Sequence, residues 1–176
     1  MRERPLGPVV IGVAVLALFL GLVVLPYLRP ARPEMLGATA PDFTLPVVHG
    51  GEPGSRLHLA DLRGKAVVLD FWASWCLPCR QQAPIVDQVA RRWDGKGVVV
   101  VGVNTGDEQA DAMQFAADEK LSYMSVFDDG SVAQAYRVRA MPTLIVLDRQ
   151  GKVLAVRQRV VRESEIEQLV EDALKG

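Results

Sequence analysis

The stretch KAVVLDFW, Lys65 to Trp72, is apolar at every position after Lys65 except Asp70. A strand with no polar face must be covered on both sides, as central parallel strands flanked by helices are. The next segment supplies such a helix. From Leu77 to Trp93, the residues Ile85, Val86, Val89, Ala90 and Trp93 recur at helical spacing. A second apolar run, GVVVVGVN from Gly97 to Asn104, predicts a neighbouring strand. Strand, helix and strand together form a crossover unit, which places the chain in the α/β class.

The remaining elements build outward from that unit. PDFTLP and SRLHL lie on either side of HGGEPGS and predict an N-terminal β-hairpin. GDEQADAMQFAADEKL predicts a helix with Met113, Phe115, Ala116 and Leu121 as its less polar positions, and a short helix is expected over Ala133–Tyr136. TLIVLD and KVLAVRQRV read as strands around the turn Asp148-Arg149-Gln150-Gly151. Glu163 to Leu174 closes the chain as a helix with Ile166, Leu169, Val170 and Ala173 on one face. The expected product is a mixed sheet covered on both faces by helices, formed by residues 41–176.

Ahead of this domain, Leu6 to Leu25 runs without a charge or strongly polar side chain. As one helix it would span about 30 Å, the thickness of a bilayer core. A cleaved signal peptide has a shorter apolar core with a small-x-small site close behind it. The candidate site here, Ala38-Thr39-Ala40, lies well downstream. Residues 1–28 are therefore expected to be a transmembrane anchor in preference to a signal peptide. Prolines make 29–40 an extended linker. Arg2 and Arg4 precede the span and Arg29 and Arg32 follow it, so the positive-inside rule hardly chooses an orientation. A net charge of −1 gives no reason to expect a nucleic-acid partner.

Both cysteines of the chain, Cys76 and Cys79, sit where the apolar strand gives way to the helix. A zinc site needs two further ligands, and His49 and His58 have no matching spacing, so no metal is expected. A bridge closing so small a ring contributes roughly 2 kcal/mol in the loop-entropy model, which disfavours a purely structural staple. Redox chemistry fits the position better. The first turn of a helix carries unpaired N–H groups and the positive end of the dipole, which stabilise a thiolate. Spacing i, i+3 puts both sulfurs on one face of that turn. Cys76 is expected to be the attacking, more exposed thiol and Cys79 the resolving one.

The segments GATAPDFTLP, LADLRGKAVVLDFWASWCLPC, VVVVGVN and YRVRAMPTLIVLDRQGKV together resemble the TlpA/ResA/CcmG-like, membrane-anchored branch of the thioredoxin family. The resemblance runs from about Gly37 to the carboxyl end. It implies a thioredoxin fold with the hairpin as an N-terminal extension and an insertion around Asn104–Phe127. It also implies that Pro142 is the family's cis-proline and that Met141 offers backbone groups to an extended substrate. Asp70 matches the buried aspartate of thioredoxin. Burial inside VVLDFW would raise its pKa and let it handle the proton of Cys79. Trp75 reads either as core or as part of the substrate groove. The chain departs from the ResA-type members at Gln82, where they carry a glutamate.

The resemblance further implies an extracytoplasmic thiol–disulfide oxidoreductase on the inner membrane, its catalytic domain on the periplasmic side. It would act without a cofactor, more as a reductant than as an oxidant. Its partners would be proteins with disulfides, among them apocytochrome c, and a membrane thiol–disulfide electron donor. Two alternatives stand beside this reading. The APDFTL opening is shared with peroxiredoxins, which suggests a peroxidase, although those place a single cysteine after a threonine-containing loop. A copper-delivery protein of thioredoxin fold would need CxxxC and a downstream histidine, and this chain has neither.

Overall fold

A computed structural model describes residues 7–24 and 35–176, with a boundary between compact units after Glu34. In the first unit, helix α1 (Gly7–Phe19) continues into a π-helical turn, Leu20–Val24. A 13-residue α-helix reaches only about 20 Å. The transmembrane helix expected over Leu6–Leu25 is accordingly not supported. Among the described residues, no helix is long and apolar enough to cross a membrane. The ends of the expected anchor, and the linker residues before Met35, lie outside the described residues.

The second unit is built on a seven-stranded mixed sheet. In chain order its strands are β1 (Thr44–His49), β2 (Arg56–His58), β3 (Ala66–Trp72), β4 (Val98–Thr105), β5 (Met124–Asp128), β6 (Thr143–Leu147) and β7 (Val153–Arg157). Across the sheet the order is β2-β1-β5-β4-β3-β6-β7. Strands β3, β4 and β5 are mutually parallel, and the flanking strands are antiparallel to their neighbours. The helices are α2 (Leu77–Trp93), α3 (Gln109–Asp118), α4 (Ser131–Ala135) and α5 (Glu163–Lys175). Gly37 and Ala40 donate backbone hydrogen bonds to Val153 and Gly151, so the entry segment is tied to the β7 side of the sheet.

Strand β5 was not anticipated from the sequence, although β1 and β4 both pair with it. MSVFD is short, and its buried positions form neither a continuous run nor a clean alternation. It is long-range pairing that makes it a strand.

All seven positions of β3 are buried. Alternation sends Ala66, Val68 and Trp72 to one face, where they pack with Cys79, Val86, Val89, Ile166 and Val170. Val67, Leu69 and Phe71 point to the other face, against Phe43, Leu45, Val132 and Tyr136. Helices α2, α3 and α5 thus cover the first face, while the entry segment and short α4 cover the second. Full burial of Val68, Leu69 or Phe71 contributes roughly 2 kcal/mol each relative to exposure. Gly102, opposite Asp70 on β4, is needed for close approach. A Cβ there would lie 2.6 Å from Ser125 Oγ and 2.7 Å from Trp72 Nε1.

Candidate active site

The end of β3 and the start of α2 create the site. The chain leaves the sheet at Trp72, and Cys76 is the N-cap of α2 in extended conformation, with Pro78 in the first turn where no helical N–H is lost. Cys76 and Cys79 are joined by a disulfide with Cα atoms 5.2 Å apart. The N–H of Cys79 donates to Cys76 Sγ over 3.2 Å. That N–H, which also reaches the Cys76 carbonyl at 3.0 Å, points at Cys76 Sγ, a geometry that would favour a thiolate there. The expected contrast in exposure between the cysteines is small, at 4% for Cys76 and 2% for Cys79. The bond holds both sulfurs against the first turn. Their neighbours Trp75 and Leu77 are 66% and 69% exposed and form an apolar rim.

Asp70 is buried on β3 between Val68 and Trp72, both of which pack in the cluster that holds Cys79. Alternation along the strand therefore turns its carboxyl toward the α2 face. Tyr123 donates its hydroxyl to Asp70 Oδ2 over 3.4 Å. Loss of hydration dominates over that bond and pushes the carboxyl up to about 7. Tyr123 is itself raised well above the ordinary phenol value, by burial and by the negative charge of Asp70. A carboxylate facing water at a strand end would not fit this environment.

Trp72 is core, stacked on Phe115 at 4.6 Å between ring centroids. Trp75 projects outward, and its Nε1–H donates to the carbonyl of Gly106 over 2.9 Å. The Met141–Pro142 peptide is cis. Pro142 is buried, whereas half-buried Met141 packs against the cluster containing both cysteines. The disulfide, Asp70 and Met141 thus share one side of the sheet, with Trp75 at the rim.

Around the site, Arg80 and Asp107 were missed in the sequence, and Gln82 was noted there only as a departure from the ResA-type members. Gln82, one turn beyond Cys79, is buried, and its Oε1 accepts a 2.7 Å bond from Val161 N–H. This ties α2 to the segment before α5. Arg80 sits 4.9 Å from the Phe115 centroid, pairs with Glu119 at 2.8 Å and reaches the Ser74 carbonyl at 3.4 Å. Asp107 accepts bonds from Ser74 and Asn104. The histidines are engaged elsewhere: His49 with the Leu121 carbonyl and His58 with Asp42.

Residues 36–156 match the model of the AhpC/TSA family. The thiol-disulfide oxidoreductase ResA of Geobacillus thermodenitrificans is 34% identical over 137 residues, covering 77% of this chain and 76% of the relative. The thiol:disulfide interchange protein DsbE of Pseudomonas fluorescens biotype C is 35% identical, covering 77% and 72% respectively. Among solved structures, one from Chlorobium tepidum, described as a thiol:disulfide interchange protein DsbE, superposes with a TM-score of 0.72 at 38% identity. That match covers 79% of this chain and 97% of the other. A thioredoxin-family interchange protein from the same organism superposes at 0.70, so the mixed sheet with its helices is a thioredoxin-like fold.

Proposed function

The chain belongs to the AhpC/TSA family and is a thiol–disulfide oxidoreductase, and from that premise we propose that it reduces protein disulfides on the outer side of a membrane. The observation that carries the mechanism is the disulfide at the first turn of α2, with the cis-proline segment packed beside it. In the reduced protein, the Cys76 thiolate attacks one sulfur of a substrate disulfide. A mixed disulfide forms and one substrate thiolate leaves. Cys79 then attacks Cys76 Sγ, the Cys76–Cys79 bond forms, and the second substrate thiolate departs. Two electrons pass from the dithiol to the substrate.

Asp70, buried on β3, accepts the proton that Cys79 must lose before it attacks. A carboxyl near 7 exchanges protons readily at neutral pH. Met141 offers backbone groups to an extended substrate, and Trp75 and Leu77 offer apolar contact area beside the sulfurs. The proline before Cys79 favours the reducing direction. Regeneration of the dithiol then calls for a membrane thiol–disulfide electron donor. The apolar segment containing α1, with exposed Val10, Ile11, Val13 and Leu16, supports tethering to the cytoplasmic membrane. Apocytochrome c with oxidised haem-attachment cysteines is a fitting substrate. A peroxidase is less well served by this arrangement, because the attacking cysteine is already paired with its resolver three residues away.

The test is insulin reduction with dithiothreitol as electron source. The wild-type protein accelerates precipitation of the insulin B chain and Cys76→Ser abolishes the acceleration. Retained turnover in Cys76→Ser overturns the mechanism.

A further inference from the structure

The turn that presents Cys76 is held from outside its own element. Ser74, two residues before the nucleophile, donates its N–H to Asp107 Oδ2 over 2.6 Å and its hydroxyl to Oδ1 over 2.8 Å. Asn104 Nδ2 donates to the same Oδ2 over 2.6 Å. The carboxylate of Asp107 thus accepts three bonds, and two of them come from the residue that fixes where the β3–α2 turn lies. The adjacent Gly106 carbonyl takes the Trp75 indole N–H. Asp107 and Gly106 follow β4, in the segment leading to α3, so one loop grips both residues ahead of Cys76.

We propose that Asp107 is the positioning residue of the reactive turn. Its carboxylate orients Ser74 so that Cys76 meets the incoming disulfide in line, and its charge opposes formation of the Cys76 thiolate. This rests on thiol exchange at Cys76 and holds whichever direction the pair works in. Displacing a reacting group by about 1 Å can cost up to about a hundredfold in rate, so loss of the grip is expected to cost about tenfold.

Other charged groups face this turn. Arg80 on α2 is neutralised by Glu119, which follows α3, and Asp70 lies beneath on β3. Glu108, next to Asp107, is exposed to water. Removing the charge of Asp107 therefore leaves a turn in which the helix N-terminus favours the thiolate more strongly.

Asparagine separates the two effects. Its carbonyl oxygen accepts from Ser74 N–H and Asn104 Nδ2, and its amide donates to the Ser74 hydroxyl, so geometry is kept while charge is lost. The measurement uses reduced full-length protein carrying Cys79→Ser, with Cys76 alkylated by iodoacetamide across a pH series. Insulin turnover is measured in the matching variants with Cys79 intact. Asp107→Asn is expected to alkylate with its half-point at lower pH and to keep kcat/KM within about twofold of wild type. Asp107→Ala is expected to lose about tenfold in kcat/KM, a loss that Asp107→Asn rescues. An alkylation half-point unchanged in Asp107→Asn overturns the proposal. So does an Asp107→Asn turnover as low as that of Asp107→Ala. If Asp107→Ala does not fold, the pH profile of Asp107→Asn decides by itself. Retained turnover in Cys76→Ser, the failure of the proposed function, leaves these outcomes separate, because alkylation reads the thiol without turnover.

Discussion

Replacing Asp70 by asparagine should stabilise the protein, and the gain should grow with pH. The buried carboxyl is raised from 3.8 to about 7, chiefly by desolvation. Each pK unit corresponds to about 1.4 kcal/mol, so keeping this group charged in the folded state costs about 4 kcal/mol. The sign follows from proton binding. Between the unfolded and folded values the folded state holds the extra proton, so stability is fully present at low pH and is lost as pH rises through about 7. Asparagine imitates the neutral carboxyl at every pH. Wild type and Asp70→Asn should therefore unfold alike below the unfolded carboxyl value, diverge above it and differ by about 4 kcal/mol beyond neutrality. Guanidinium unfolding of the oxidised proteins over a pH series measures the gap. A gap that does not change with pH refutes the buried, proton-holding Asp70. The same variant should resolve mixed disulfides more slowly, since Cys79 loses its proton acceptor, and an unaltered rate in a quenched alkylation assay would remove that role.

Three further outcomes follow from the contacts around the site. Tyr123→Phe removes the bond that lowers the Asp70 carboxyl, so the titration of Asp70, read by carbon NMR of its carboxyl, should move upward from about 7. Gln82→Ala leaves the buried Val161 N–H without its acceptor and should cost about 1–3 kcal/mol by denaturant unfolding, whereas Gln82→Glu keeps an acceptor oxygen in place. Gly102→Ala drives a methyl into Ser125 Oγ and Trp72 Nε1 and should cost about 1–3 kcal/mol in the same assay.

The β3–α2–β4 unit was legible because its signals are local. An apolar run, a helical repeat and a second apolar run identify themselves without knowledge of their neighbours, and α2 begins at Leu77 and ends at Trp93 as its periodicity predicts. The burial of Asp70 was legible for the same reason, since it lies inside such a run. Tyr123 was not, because it reaches Asp70 across 53 positions of sequence. Asp107 fell inside GDEQADAMQFAADEKL, the segment expected to be a helix, whereas the helix begins at Gln109. Its bonds to Ser74 exist only once β3 and β4 lie side by side. Strand β5 escaped for a related reason, being specified by partners on both sides more than by its own pattern. At α3 the periodicity misled in one place: Met113 is 49% exposed, while Ala112 takes the buried position.

The mechanism turns on Cys76 attacking and Cys79 resolving. Its most direct test is mass spectrometry of reduced Cys79→Ser and Cys76→Ser proteins, each incubated with a disulfide-bonded peptide. A stable mixed disulfide is expected on Cys76 in Cys79→Ser, with little or none on Cys79 in Cys76→Ser. Equal adducts on the two cysteines, or an adduct on Cys79 alone, would contradict it.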